Sequence, residues 1–464
     1  MQSSLSATVA AVPVRALLVV VAVVATGVAV RRLVGDRLTA ALRRRLLLGV
    51  PWGTLLTMAG VLSVYLFVQG AYWHGALLVT PFRTWSYFYP LGMLAGPFTH
   101  GSVGHVTGNL VGTLAFGTVV EYAWGHYPTR RGTSSFGSLG TNPFARILAV
   151  PVAMAAVGVF TGLFALGPIV GFSGVVFALA GFALVTRPML FLGAVLGSRV
   201  LNLVYTALRS PEPTVGGSVQ FVTPPWANIA IQGHAIGLLA GVFIGTVLLG
   251  RRDRRPSPGS VFFATLVFAV IQGLWAVYIP LGGGRFTLFR WLGTVLVFLL
   301  AVLVAAATLY TDRGVLPSFE GGWPSVAGFA LIVALAALTL ASVPANTADL
   351  GAADLPEDGV EVRDYVVTYD ENVPNRYVEN MWLPPSAREN VTGSGVIVAS
   401  ADRDLWTVAV QRNQLALRGR ASVVVGGVGW RERVAVDRSG WSVRGNETVY
   451  RVDVARPGGR PQTV

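Results

Sequence analysis

The chain contains no cysteine, which removes disulfide frameworks, thiol nucleophiles and cysteine metal sites together. It contains no lysine either, so all 35 basic residues are arginine. Charge of any kind is scarce: 12% of the 464 residues, about half the share of a soluble domain. With 53% hydrophobic residues and a mean hydropathy of +0.61, this is the composition of an integral membrane protein. Carboxylates are nearly missing from the middle of the chain, where Glu121 and Glu212 are the only ones between Asp36 and Asp253. Their scarcity excludes a membrane aspartyl protease and counts against a transporter with a carboxylate relay. No H-E-x-x-H motif occurs, and the five-residue step from His100 to His105 suits one helical face poorly, so no metal is expected. The net charge of +13 does not point to nucleic acid, because the arginines fall between apolar runs and read as topology signals.

Ten apolar segments are long enough, or nearly so, to cross about 30 Å of hydrocarbon: Val9–Val30, Pro51–Gln69, Gly104–Trp124, Ala145–Leu166, Ser173–Thr186, Met189–Leu208, Ala227–Gly250, Ser260–Ile279, Trp291–Leu309 and Ser325–Val343. Arginine clusters set their direction: Arg31, Arg32, Arg37 and Arg43 to Arg45 after the first, Arg130 and Arg131 after the third, Arg187 after the fifth, and Arg251, Arg252, Arg254 and Arg255 after the seventh. This predicts a multi-pass cell-membrane protein with both termini extracytoplasmic, and Ser173 and His234 near the outer side. From about Pro344 the character changes. Alternating stretches at Val360–Tyr369, Val396–Val398, Trp406–Val410, Ala421–Val425 and Val449–Val454 read as a soluble β-rich domain. Two acceptor sequons, at Asn390 and Asn446, fit an exterior tail.

Chemistry concentrates in two stretches. Gly171-Phe172-Ser173-Gly174 puts one hydroxyl at the start of an apolar helix, where unpaired N–H groups favour developing negative charge. His234 begins a second helix, with Gly237 and Gly241 three and seven residues on along the same face; Ala178 and Gly181 on the serine helix allow that face to come close. A histidine within an apolar segment marks a functional site by default. His105 and Asn109, four apart on another helix, can donate hydrogen bonds without carrying negative charge, as an oxyanion site requires; across helices the same pair can serve as structural glue. Neither Glu121 nor Glu212 is placed to orient His234 as the acid of a serine triad does. The economical reading is a Ser173–His234 dyad that needs no cofactor.

Taken together, His100-x4-His105-x3-Asn109, Gly171-x-Ser173-Gly174 and His234-x2-Gly237-x3-Gly241 resemble, in order, the motifs of the rhomboid family of intramembrane serine proteases. The resemblance spans roughly Pro51 to Gly250. It implies a six-helix core in which Ser173 is the nucleophile, His234 the general base, and the Ser173 amide with His105 and Asn109 the oxyanion site. It further implies that His100 shapes the outer loop and that Glu121 is the acidic residue at the inner end of its helix. The helix Met189–Leu208 and the loop Arg209–Trp226 would form a lateral gate and cap, and the substrates would be single-span membrane proteins in the lipid bilayer. Phe177 stands where many members carry tyrosine, keeping a ring that could pack on His234, and Trp85-Ser86 replaces a Trp-Arg pair.

The expected architecture is therefore an all-α polytopic membrane protein with a C-terminal β-rich domain. Residues 1–50 form an N-terminal helix and basic loop, 51–250 the six-helix core, 251–343 three further helices and 344–464 the tail. The competing reading from another class is a non-catalytic rhomboid-like protein that binds and escorts membrane helices.

Overall fold

Helix starts in this chain are written by proline and by short polar caps. Ser102, Asn142 and Ser257 each accept a backbone N–H from the first turn of the helix that follows, and proline opens the helices after Asn142 and Ser257. The resulting long helices are α1 (Trp52–Ser63, continuing as a π-turn over Val64–Val68), α2 (Val103–Trp124), α3 (Pro143–Leu163), α4 (Ser173–Thr186), α5 (Pro188–Arg209), α6 (Ile231–Gly250), α7 (Pro258–Ile271), α8 (Arg290–Ala307) and α9 (Trp323–Leu340). The structure, a computed structural model, describes residues 39–128, 132–209, 231–251, 255–282, 285–309, 322–347, 349–351, 355–374, 392–442 and 448–464, with isolated positions between 21 and 37. Most of the expected Val9–Val30 span, the 210–226 part of the expected cap, and Asn390 and Asn446 lie outside the described residues.

Six of these helices are long and apolar enough to cross a membrane, and α1, α4 and α7 are shorter apolar helices. The protein is a multi-pass membrane protein. One expected span is corrected. The apolar run Ser260–Ile279 does not continue as a helix, because α7 stops at Ile271 and residues Tyr278–Gly282 form β1, paired antiparallel with β2 (Arg285–Leu288). Gly273 takes a positive φ of 68° just past the helix end, the left-handed conformation that glycine adopts without strain.

Helix α4 is the axis of the bundle. Every one of its residues except Ser173 and Phe177 is buried. Its contact with α6 is a seam of small residues. A Cβ added to Gly237 would overlap the Gly174 carbonyl, one on Gly241 would overlap the Ala178 carbonyl, and one on Gly181 would overlap the Leu238 carbonyl. In a membrane, where lipid is as apolar as leucine, this backbone-on-backbone approach is what holds two helices together.

At the opposite end of the bundle from Ser173, α1 has no cap of its own. Pro51 precedes it, and the carboxylate of Glu121, on α2, does the capping instead. It accepts from Gly53 N (2.8 Å), Thr54 N (2.7 Å), the Thr54 hydroxyl (2.7 Å) and His126 Nε2 (2.7 Å). His126 Nδ1 accepts from Leu47 N at 2.8 Å, which assigns its proton to Nε2.

The C-terminal region is β-rich. Strands β3 (Val360–Val362), β4 (Tyr365–Pro374), β5 (Thr392–Ser400) and β6 (Leu405–Gln411) form one antiparallel sheet in that order. The second is ordered β10-β9-β8-β7, built from β7 (Arg420–Gly427), β8 (Trp430–Ser442), β9 (Thr448–Ala455) and β10 (Gln462–Thr463). Alternate residues such as Val367, Val398, Val425, Val436 and Val454 meet in one buried core. Strand β8 was not anticipated, because the charged Arg431-Glu432-Arg433 run hides a period-two pattern in which Val434 and Val436 are buried. Trp85 is the largest side chain in that core, and it comes from the loop between α1 and α2.

Candidate active site

Ser173 is the first residue of α4, so its N–H has no acceptor within the helix. Gly171, two residues earlier, has φ 123°, a conformation that L side chains rarely adopt. A Cβ there would lie 2.6 Å from the His105 ring and 3.5 Å from Asn109 Nδ2. Glycine thus lets the chain turn into α4 while two polar side chains of α2 press against that turn.

The α4–α6 seam fixes what faces Ser173. His234 lies one turn before Gly237 on α6, and its Nε2 is 2.8 Å from Ser173 Oγ. The Phe177 ring, one turn into α4, stacks on the His234 imidazole with centroids 4.2 Å apart and planes 10° from parallel. The two α4 residues left partly accessible are therefore the hydroxyl and the ring that braces its partner.

His100 sits just before α2 and is fully buried. Its Nε2 lies 2.9 Å from Asn109 Nδ2 and 3.4 Å from Phe172 N. Accepting from both puts its proton on Nδ1, an assignment that follows from the partners. The His100 and His105 rings meet edge to face at 5.0 Å.

Ser173, His234, His105, Asn109 and Phe177 all line one cavity of about 820 Å³. Val176, Phe116, Val195 and Phe268 give it apolar surface, Arg83, Arg199, Asn202 and Gln272 add polar groups, and no carboxylate lines it among the described residues. Such a space suits a reaction whose charge develops on one oxygen, since donors are fixed at one point and water competes poorly elsewhere. Glu121 stands apart, in the capping role described above.

Several residues at the site carried no signal in the sequence. Phe268 and Gln272, in and just after α7, wall the cavity together with Arg199 of α5, whose Nη2 donates to Gln272 Oε1 at 2.9 Å. Gln232, two residues before His234, donates to Phe164 O and Leu338 O (both 2.8 Å) and accepts from Leu166 N (3.0 Å), tying the start of α6 to its neighbours. Gln69 clamps the His100 backbone on both sides, accepting from its N–H at 2.7 Å and donating to its carbonyl at 2.8 Å. In the sequence Phe268 is one more apolar residue in an apolar run, and Gln69, Arg199, Gln232 and Gln272 are lone polar residues in or beside such runs.

Neither a curated protein nor a solved structure matches the chain. The family model of the Rhomboid domain matches residues 84–251, from the loop before α2 to the residue after α6. Residues 84–251 therefore carry a Rhomboid domain, which supports membership of the rhomboid family.

Proposed function

We propose that the protein is an intramembrane serine endopeptidase that cleaves transmembrane segments of single-span membrane proteins. The observation that carries this reading is the 2.8 Å contact between Ser173 Oγ and His234 Nε2 inside a cavity shared with His105 and Asn109. His234 Nε2 takes the Ser173 proton as Oγ bonds to the scissile carbonyl carbon. The oxygen then carries the negative charge, and the Ser173 N–H with the His105 and Asn109 side chains supplies donors to it. Protonated His234 gives its proton to the leaving amine as the C–N bond breaks. Water, deprotonated by the same imidazole, releases the acyl group as a carboxylic acid. Phe177 holds the imidazole plane throughout, and no metal or cofactor takes part in this scheme.

The same reading assigns α1–α6, over 51–250, as the catalytic core, with 1–50, 251–343 and 344–464 as additions around it. It places the Ser173 end of the bundle within the membrane near its outer side and the β-rich region outside the cell, with the arginine-bearing ends of α4 and α6 on the cytoplasmic side. Helix α5 is the gate by which a substrate helix enters, and a peptide bond must leave its helical hydrogen bonds before Ser173 can reach it.

Cleavage of a reporter transmembrane segment in proteoliposomes tests this, with Ser173→Ala and His234→Ala beside the wild type. Loss of cleavage in both variants is expected. Equal cleavage in all three removes the dyad, and no cleavage by the wild type of any reporter favours the helix-escort reading. Labelling of Ser173 by a fluorophosphonate, absent in Ser173→Ala, is the faster first measurement.

A further inference from the structure

We propose that the C-terminal β-rich region is part of the proteolytic apparatus, with Arg431 acting as a positioning residue that fixes the His100–Asn109 pair through Gln69. The proposal rests on the proteolytic reading of Ser173 and His234.

The connection can be followed bond by bond. Arg431, at the start of β8, reaches out of its sheet and donates to Gln69 O and Ala76 O, both at 3.2 Å. Gly70 makes this possible. Its φ is +76°, and a Cβ on it would lie 2.8 Å from the guanidinium carbon of Arg431. The fork therefore lies flat against the Gln69–Gly70 backbone, and any side chain there would expel it. Gln69 is itself fully buried, and its amide holds both the N–H and the carbonyl of His100. His100 in turn bonds Asn109 Nδ2 and the amide of Phe172, the residue before the nucleophile.

A second fastening runs beside the first. Trp85 is sunk in the core between the two sheets. Its neighbour Thr84 donates its hydroxyl to Gly167 O (3.0 Å) and its amide to Ile169 O (3.1 Å), and Gly96 O accepts from Gly171 N (2.9 Å). The α1–α2 loop is thus gripped by the β-rich region on one side and by the segment leading into Ser173 on the other.

The loop carries one short helix, Pro90–Ala95, and 3-10 turns at Thr80–Phe82 and Gly96–Phe98; His100 lies past the last of these, with its backbone held by the Gln69 amide. An oxyanion donor shifted by a fraction of an ångström loses most of its effect, so whatever immobilises this backbone acts on the rate. The Arg431 guanidinium adds such a restraint from β8: it donates to Gln69 O, which also accepts from Leu78 N, and to Ala76 O.

The test uses the full-length protein in proteoliposomes with the reporter segment, comparing Arg431→Ala, Arg431→Gln, Arg431→Lys, Gln69→Ala and the double variant Arg431→Ala/Gln69→Ala. Arg451→Ala is the control, since Arg451 pairs with Asp453 on the exposed face of β9. Arg431→Ala is expected to lower kcat about tenfold, less than deletion of an oxyanion donor does, with KM within about twofold. Arg431→Lys restores most of the loss, and the double variant is no worse than Gln69→Ala because both act on one path. Amide exchange over residues 98–109 quickens in Arg431→Ala and not in Arg451→Ala. Should Arg431→Ala unfold the sheets, Arg431→Gln keeps the stem, loses the fork and must show the same pattern.

A wild-type kcat, a change in KM alone, multiplicative losses in the double variant, or unaltered exchange would each overturn the proposal. The exchange measurement needs no chemistry. If the wild type cleaves nothing, proteolysis falls while the exchange still decides whether Arg431 positions His100.

Discussion

Gly237→Ala is the sharpest test of how the α4–α6 seam makes the site. The added methyl would overlap the Gly174 carbonyl oxygen, with Gly174 C at 3.0 Å and Cα at 3.3 Å. Both partners are backbone inside helices, so neither can swing away. Restoring ordinary contacts of about 3.5 Å or more requires the helices to part by at least about 1 Å at that level. Gly174 is adjacent to Ser173 and Gly237 is one turn from His234, so the wedge acts on the dyad itself. A 1 Å parting would carry the 2.8 Å Ser173–His234 contact beyond hydrogen-bond reach. The expected result is a kcat lowered about 100-fold, the loss typical of a 1 Å misplacement, with KM nearly unchanged. The overpacking itself costs about 1–3 kcal/mol of stability. Initial cleavage rates in proteoliposomes separate kcat from KM, and unfolding midpoints in detergent report the stability. Gly60→Ala is the control, because a Cβ there meets nothing within 4 Å. Wild-type turnover in Gly237→Ala, or an equal loss in Gly60→Ala, would refute the reasoning.

Phe177→Ala removes the ring stacked on His234 and should lower kcat by about tenfold through loss of imidazole orientation, whereas Phe177→Tyr, which keeps the ring, should match wild type; equal rates for all three would show that the stacking is idle. Glu121→Gln replaces one of two oxygens that accept two donors each, Gly53 N with His126 Nε2 at Oε1 and Thr54 N with the Thr54 hydroxyl at Oε2, so an N–H₂ meets two donors whichever way it turns. The loss of buried acceptors should cost about 2–5 kcal/mol, read as a lower unfolding midpoint, and an unchanged midpoint would contradict the capping role. Burial pushes the Tyr365 phenol well above its ordinary value of 10, and its hydroxyl donates to Gly426 O across the two sheets at 2.7 Å. Folding therefore favours the protonated phenol, so this stabilisation is whole below pH about 10 and is lost as pH rises beyond it. Tyr365→Phe should make the alkaline fall in stability of the β-rich region shallower and lower its midpoint at neutral pH, where Gly426 O loses its donor, by about 1–3 kcal/mol; parallel pH curves would count against it.

Much of the fold was readable from local pattern. Apolar runs bounded by Pro143, Pro188 and Pro258, and by the caps Ser102, Asn142 and Ser257, gave helix starts within a few residues of those observed. Period-two stretches marked β5, β6, β7 and β9 for the same reason, since alternation is a property of a few adjacent residues, while the single stretch Val360–Tyr369 is a hairpin of β3 and β4 that turns at Arg363-Asp364. The Ser260–Ile279 run misled because hydropathy cannot tell a helix from an apolar hairpin, and the turn near Gly273 decided between them. Around the site, glycine spacing marked a face on which helices could close, but spacing carries no information about distance. Gln69, Gln232 and Phe268 were silent because a lone polar or aromatic residue acquires meaning only from its partner.

What the sequence by itself determined is chemical and local: a chain too apolar for water, a hydroxyl at a helix start, an imidazole above a glycine stripe, and a β-rich tail. The tertiary structure alone decided that Phe177 lies flat on His234, that α7 walls the cavity, and that Trp85 and Arg431 join the α1–α2 loop to sheets hundreds of residues away. The physical reason is that periodicity and capping act over one or two turns. Contacts between distant loops exist only after the whole chain has closed and its burial and backbone hydrogen bonds are satisfied together.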